Sequence, residues 1–153
     1  MRGLQDRGCD STTTRCDRLK ANSTRGSLPF ADIDDRQTDK WLGDNRTVLE
    51  RQPTDDVDTF SEVLNGEFFE PPEAHKGNVA RAMFYFCTMY KEAADVADSR
   101  FFSLQEATLR RWHDRDPPDT TEIERSNEIR EAQGNDNPFV LDPTLADRAY
   151  CNV

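Results

Sequence analysis

Histidine is the side chain best suited to moving a proton near neutral pH, and this chain has two, His75 and His113. His75 stands in a proline-rich stretch, and His113 follows Trp112 near the end of a helical segment. Neither has a second histidine at the spacing of a metal-binding pair such as HxxxH, so a surface or capping role is the ordinary reading of each. Cysteines at 9, 16, 87 and 151 match no zinc-knuckle spacing. Cys87 falls in an apolar helical run and reads as a buried thiol. A disulfide between Cys9 and Cys16, or one using Cys151, is compatible with the sequence and not required by it. The segment Gln133-Gly134-Asn135-Asp136-Asn137-Pro138-Phe139 is more informative. A glycine permits a sharp reversal, two asparagines follow, and a proline fixes the exit. Either both asparagines satisfy backbone groups in an Asx-type turn, or a carboxamide oxygen serves as a hard ligand for a cation such as Mg²⁺ or Ca²⁺. No nucleophile elbow, phosphate-binding loop or dinucleotide fingerprint occurs.

The elements that must position these groups are mainly helical. Residues 1–40 are polar and irregular, and from Asp32 to Phe69 the reading is loop-like. In that stretch the apolar pairs Trp41-Leu42, Val48-Leu49, Val63-Leu64 and Phe68-Phe69 alternate with turn formers. Asn65-Gly66 has the composition of a hairpin turn, although its flanks do not alternate cleanly. Pro71-Pro72 halts what precedes it. Val79, Met83, Phe86, Cys87, Tyr90 and Ala94 then fall on one face of a helix running from Gly77 to about Ala97. A second helix is expected to open at Ser103, with Glu106 completing a capping box. It carries Leu104, Ala107, Thr108 and Trp112 on one side and stops at Asp116-Pro117-Pro118. A third opens at Asp119, with Glu122 three residues on, and ends at Gly134 as a left-handed cap.

Composition sets the class. The chain has 153 residues, about one domain. It is 35% hydrophobic and 33% charged, with a net charge of −10, so it supports a modest core beneath long solvated stretches. Arginine outnumbers lysine 16 to 4 and aspartate outnumbers glutamate 19 to 11. An acidic, lysine-poor surface fits either salt adaptation, where self-repulsion is screened, or an ordinary acidic protein. No apolar window approaches the ~20 residues needed to span a membrane. The opening residues have no apolar signal-peptide region.

The decisive feature is a set of motifs in register. The run from Phe69 to Tyr85 (Phe69-Glu70-Pro71, Lys76-Gly77, Val79-Ala80-Arg81-Ala82, Phe84-Tyr85) resembles the F-E-P-x-x-x-x-K-G-D-[VI]-A-R-A-x-F-Y stretch of the bacterial endonuclease I family. Leu109, Trp112 and Asp116-Pro117 are similar to its L-x-x-W and D-P. Glu122 with Arg125 matches E-x-x-R, and Gln133 to Phe139 matches Q-G-N-x-N-P-F. Asn22-Ser23-Thr24-Arg25-Gly26-Ser27 resembles its N-S-x-R-G-N. The likeness covers residues 22–150 of what reads as one domain, 1–153.

The resemblance implies an α+β fold of the ββα-metal (His-Me finger) type. The portion retained here is expected to be mainly α-helical, with an irregular amino-terminal part. It implies hydrolysis of DNA, and also RNA, without sequence preference, by a monomer that is secreted or periplasmic and does not enter a membrane. By the same resemblance Asn135 is a ligand of Mg²⁺ (or Ca²⁺ or Mn²⁺). Arg81 neutralises the scissile phosphate, and Glu122 orients the site as its catalytic partner. Asn22, Arg25, Lys76 and Arg81 contact nucleic acid. The chain departs from the family where catalytic histidines are expected. It has no E-H-x-[WY]-P segment, and Asp10-Ser11-Thr12-Thr13-Thr14 stands where D-L-H-H-L belongs. Threonine and serine cannot take a proton from water at neutral pH. The expectation is a truncated or frame-shifted product, or a natural remnant, of doubtful turnover and marginal stability, with part of the central helix uncovered. The competing readings are a non-catalytic nucleic-acid or protein interaction module and an acidic scaffold that mimics nucleic acid.

Overall fold

The apolar pairs along residues 40–70 are strands. In the computed structural model, which describes residues 21, 23–44 and 47–150, β1 spans Lys40–Leu42, β2 Val48–Leu49, β3 Ser61–Leu64 and β4 Phe68–Glu70. They make one antiparallel sheet in the order β2-β1-β3-β4. The loop-like reading of this stretch is therefore corrected. Strands this short offer one or two side chains to each face, too few for a period of two to show. Asn65-Gly66 does close the β3–β4 hairpin, with both residues left-handed at φ 52 and 64, as a tight hairpin turn demands. The preceding chain joins the same sheet edge. The Phe69 N–H donates to the Pro29 carbonyl, and the Ala31 N–H donates to the Phe69 carbonyl. Asn22, Asp10 to Thr14, and Cys9, Cys16 and Cys151 lie outside the described residues.

Pairing register divides the sheet into two faces. Leu42, Val63 and Phe69 share one face; Trp41, Glu62 and Glu70 share the other. The first meets Phe30, Phe84, Leu109, Trp112 and Phe139 in the main apolar cluster. The second is covered by residues 31–38, in which Ile33 and Thr38 are buried.

The helical layer is α1 (Lys76–Met89), α2 (Lys91–Asp98), α3 (Phe101–Arg115), α4 (Thr120–Gln133), α5 (Pro138–Leu141) and α6 (Leu145–Tyr150). Together with the sheet this is a mixed α+β architecture. The single helix expected from Gly77 to Ala97 is two helices, broken where Tyr90 leaves helical geometry at φ −123 and ψ 30. No residue of α2 is buried, so nothing packs it onto the α1 axis. The buried face of α1 also differs from expectation: Ala80, Met83, Phe84 and Cys87 are inside, while Phe86 and Tyr90 are 42% and 54% exposed. Two apolar stripes overlap in this helix. The one containing Ala80, which has no exposed surface, wins because a small residue lets α3 approach closely. The uncovered apolar surface expected on the central helix is present at Phe86, Met89 and Tyr90.

α3 opens at Phe101, ahead of the expected Ser103. That serine donates to the Arg100 carbonyl from within the first turn instead of capping it. The buried side of α3 is Gln105, Leu109, Trp112 and His113, whereas Leu104 is 71% exposed. α4 begins and ends as expected. The Asp119 carboxylate accepts from the Glu122 N–H at 2.7 Å, and Gly134 caps the helix at φ 78, a conformation costly for any residue with a Cβ.

Candidate functional site

The start of α1 lies against the end of α3, and the Lys76-Gly77 pair makes that approach possible. The Gly77 N–H donates to Asp116 Oδ2 at 2.8 Å. A Cβ on Gly77 would stand 1.9 Å from the Asp116 carbonyl oxygen and 2.9 Å from both terminal nitrogens of Arg81. One turn on, Arg81 is completely buried. Its Nε and Nη2 donate to the two carboxylate oxygens of Glu122 at 2.9 and 2.5 Å, and its Nη1 donates to the Asp116 carbonyl at 2.7 Å. The fork-to-fork geometry is the strong form of the arginine–carboxylate pair. Glu122 is available for it because only half of the capping box at Asp119 is used. The structure thus brings Arg81 and Glu122 together, but as a buried ion pair. Arg81 has its donors committed to protein acceptors and none of its side chain exposed, so contact with a phosphate would require it to leave this pairing.

Lys76 is also occupied. Its ammonium lies 2.5 Å from Glu70 and 3.5 Å from Asp32, touches Glu73, and sits 5.4 Å above the Trp112 ring. Burial acts against its charge, yet Glu70 and Glu73 outweigh burial and raise its pKa. Arg25 behaves differently. Its guanidinium lies 4.2 Å over the Phe30 ring, and its Nε is buried without an acceptor. It makes no ion pair among the described residues, and burial lowers its pKa. A half-buried cation without a partner is costly until an anion arrives. Of the two cations expected at a nucleic-acid backbone besides Arg81, Arg25 is the open one and Lys76 the closed one.

At the far end of α4 the two asparagines separate in role. Asn137 caps α5 by accepting from the Phe139 N–H at 3.0 Å, and its amide donates to the Arg81 carbonyl at 3.1 Å. This docks the turn onto α1. Asn135 is exposed, donates from its amide to the Tyr85 hydroxyl, and its carbonyl oxygen accepts no hydrogen bond from the described residues. Asp136 faces Arg130 at 3.7 Å. Neither histidine reaches this place. His75 ends the short turn Glu73–His75 and is half-buried. His113 is buried against Phe84 with Nε2 2.8 Å from the Pro143 carbonyl, which fixes its proton on Nε2.

Two partners in these contacts were not singled out as site residues from the sequence. Asp32 accepts from the Trp112 indole at 2.6 Å and from Arg111 at 2.7 Å. Those two bonds hold its pKa below the usual range although burial opposes them. Nothing in its polar neighbourhood marks it. Tyr85 could have been found, because it lies one helical turn after Arg81 and so on the same side of α1.

Among the described residues no group of three or more histidine, cysteine, aspartate or glutamate side chains is placed to hold a metal ion. Divalent Mg²⁺ or Ca²⁺ takes about six or more oxygen ligands. One carboxamide oxygen at Asn135 is a suitable donor, but it does not make a site by itself. No helix among the described residues is long and apolar enough to cross a membrane.

Comparison with known proteins places this geometry. The family model described as Endonuclease I matches residues 10–144. An "Extracellular ribonuclease" of Bacillus amyloliquefaciens is 32% identical over 98 residues, covering 56% of this chain and 34% of the relative. A protein of the same description from Bacillus subtilis (strain 168) is 31% identical over 97 residues, with the same coverage. The chain thus spans about a third of the length of the curated relatives it matches. No solved structure matches.

Proposed function

The chain belongs to the endonuclease I family, and from that premise we propose that it acts on the phosphodiester backbone of DNA or RNA without reading base sequence. The observation that carries this reading is the family match across residues 10–144. The two relatives are described as extracellular ribonucleases, which supports including RNA among the substrates and secretion as the destination. Arg25 is the residue we assign to phosphate, since it is a half-buried cation that lacks an anion among the described residues. Asn135 is the residue we assign to a divalent cation, Mg²⁺ first, as one oxygen donor among others still to be identified. Arg81 and Glu122 tie α1 to α4, the helix that leads to Asn135.

A second reading, a module that binds nucleic acid without cleaving it, is favoured by one observation. His113 is buried and hydrogen-bonded to Pro143, so it cannot serve as base from where it stands. Plasmid nicking and cleavage of a single-stranded RNA, each with Mg²⁺ and with EDTA, separate the two. Mg²⁺-dependent cleavage that is lost in Asn135→Ala supports the nuclease reading. Retarded migration of either nucleic acid without cleavage, weakened in Arg25→Ala, supports the binding module. Neither cleavage nor binding defeats both.

A further inference from the structure

The outer face of the sheet buries more acid than it neutralises. Glu62 on β3 and Glu70 on β4 are directly opposed in register, and both are under a tenth exposed. Opposed side chains on neighbouring strands sit about 5 Å apart at Cβ, where like charges repel. Residues 31–38 close over them. The Ile33 N–H donates to the Glu70 carboxylate, and the Thr38 hydroxyl donates to that of Glu62. Among the described residues one cation serves this face: Lys76 bonds Glu70 at 2.5 Å and divides its remaining charge between Glu73 and Asp32. Asp35, on the covering segment, adds a further negative charge towards Glu62. From β1, the residue opposite Glu62 is Trp41, which is uncharged and has its indole N–H buried without an acceptor.

Among the described residues Glu62 therefore has two acidic neighbours, a hydroxyl donor and no cation of its own. We propose that it is a proton-operated latch: its neutral carboxyl keeps residues 33–38 closed over the sheet, and its ionisation loosens them. Burial first, then Glu70 and Asp35, push this carboxyl up to about 7 against the Thr38 hydrogen bond and the more distant Lys76. The folded pKa lies above the ordinary glutamate value, so the closed form holds a proton that the open form releases. Closure is complete below the ordinary carboxylate range and is lost progressively as pH rises to about 7. Asp32 does not titrate in that window, because its pKa is lowered. Its bonds to Trp112 and Arg111 keep the near end of the segment anchored.

Hydrogen exchange of the Ile33 and Thr38 amides between pH 5 and 8, corrected for intrinsic base catalysis, tests the latch. Protection of both should fall at least about tenfold across this range, while amides in the middle of α3 hold theirs. In Glu62→Gln, protection of the Thr38 amide should lose most of its pH dependence, while that of Ile33, which bonds the Glu70 carboxylate whose pKa burial raises, keeps part of its own. A wild-type profile that is flat, a variant with the same slope, or a fall shared equally by α3 would overturn the proposal. If the variant does not fold, carboxyl-carbon NMR of the unaltered chain decides instead. The Glu62 carboxyl, assigned by its signal, titrating near 7 supports the latch; the same carboxyl titrating below about pH 5.5 overturns it.

Discussion

Beneath α1 the buried charges match one to one; on the outer face of the sheet they do not. Arg81 and Glu122 meet through two parallel hydrogen bonds, and the leftover donor finds the Asp116 carbonyl. Glu62 and Glu70 face each other, and the lysine beside them bonds Glu70 but not Glu62. Both arrangements remove ionisable groups from water, which is expensive for any unpaired charge. The helical one resolves the cost with an ion pair, and the sheet one by holding a proton. The lesson is that a buried carboxylate cannot be assigned a charge, or a role, before its partners are counted.

The contrast is broken most severely at Gly77. Any Cβ there collides with the Asp116 carbonyl at 1.9 Å, which is rigid backbone, and displaces the Arg81 guanidinium as well. Gly77→Ala should cost more than about 4 kcal/mol, among the largest single-residue effects, and abolish a cooperative thermal transition in circular dichroism. A melting temperature near that of the unaltered chain would mean that α1 and α3 are not in this close approach. Next is Glu122→Gln, which leaves a guanidinium charge buried with a neutral partner. The expected loss is about 3–5 kcal/mol, read as a lower urea midpoint at every pH between 5 and 8. If Arg81 instead turns outwards to phosphate, the same substitution should change stability little and nucleic-acid affinity strongly.

Glu62→Gln should act in the opposite sense. At pH 8 the unaltered chain must keep an ionised Glu62 beside Glu70 and Asp35 or open the segment over it; glutamine removes that conflict. The variant should gain about 1–2 kcal/mol at pH 8, after allowance for solvent screening, and nothing at pH 5. Paired urea titrations at the two pH values measure the difference directly. A loss at both would show that Glu62, like Glu122, is needed as an anion, and the distinction between the two regions would disappear.

The helical half was far more legible in the sequence than the sheet. Asp119, Glu122 and Gly134 carry their capping chemistry in their types and spacing, and they stand where that chemistry puts them. Trp41-Leu42 and Phe68-Phe69 belong to strands of three residues, which leave no period to detect. The α1 face was misjudged because Phe84 and Phe86 each complete an apolar stripe, and only packing against α3 chooses between them. Site residues were read by type, and type does not reveal burial. Arg81 carries the donors phosphate needs, but Glu122 is 41 residues away in sequence and no local pattern shows that they meet. Asp32 and Glu62 were invisible for the same reason, since every contact that distinguishes them comes from another element.

The finest distinction lies inside a single turn, where Asn135 and Asn137 share one residue type and differ in every partner. Asn137 ties α5 to its own backbone and to the Arg81 carbonyl, so it extends the paired region under α1. Asn137→Ala should cost about 1 kcal/mol, the usual price of a lost cap. Asn135 makes one side-chain hydrogen bond among the described residues, to Tyr85, at an exposed position, and Asn135→Ala should change stability by less than about 0.5 kcal/mol. Equal losses in urea unfolding would make both asparagines structural and remove Asn135 as a donor held for a ligand. An unchanged midpoint together with lost cleavage would mean that its carboxamide oxygen is kept for a ligand and not for the fold.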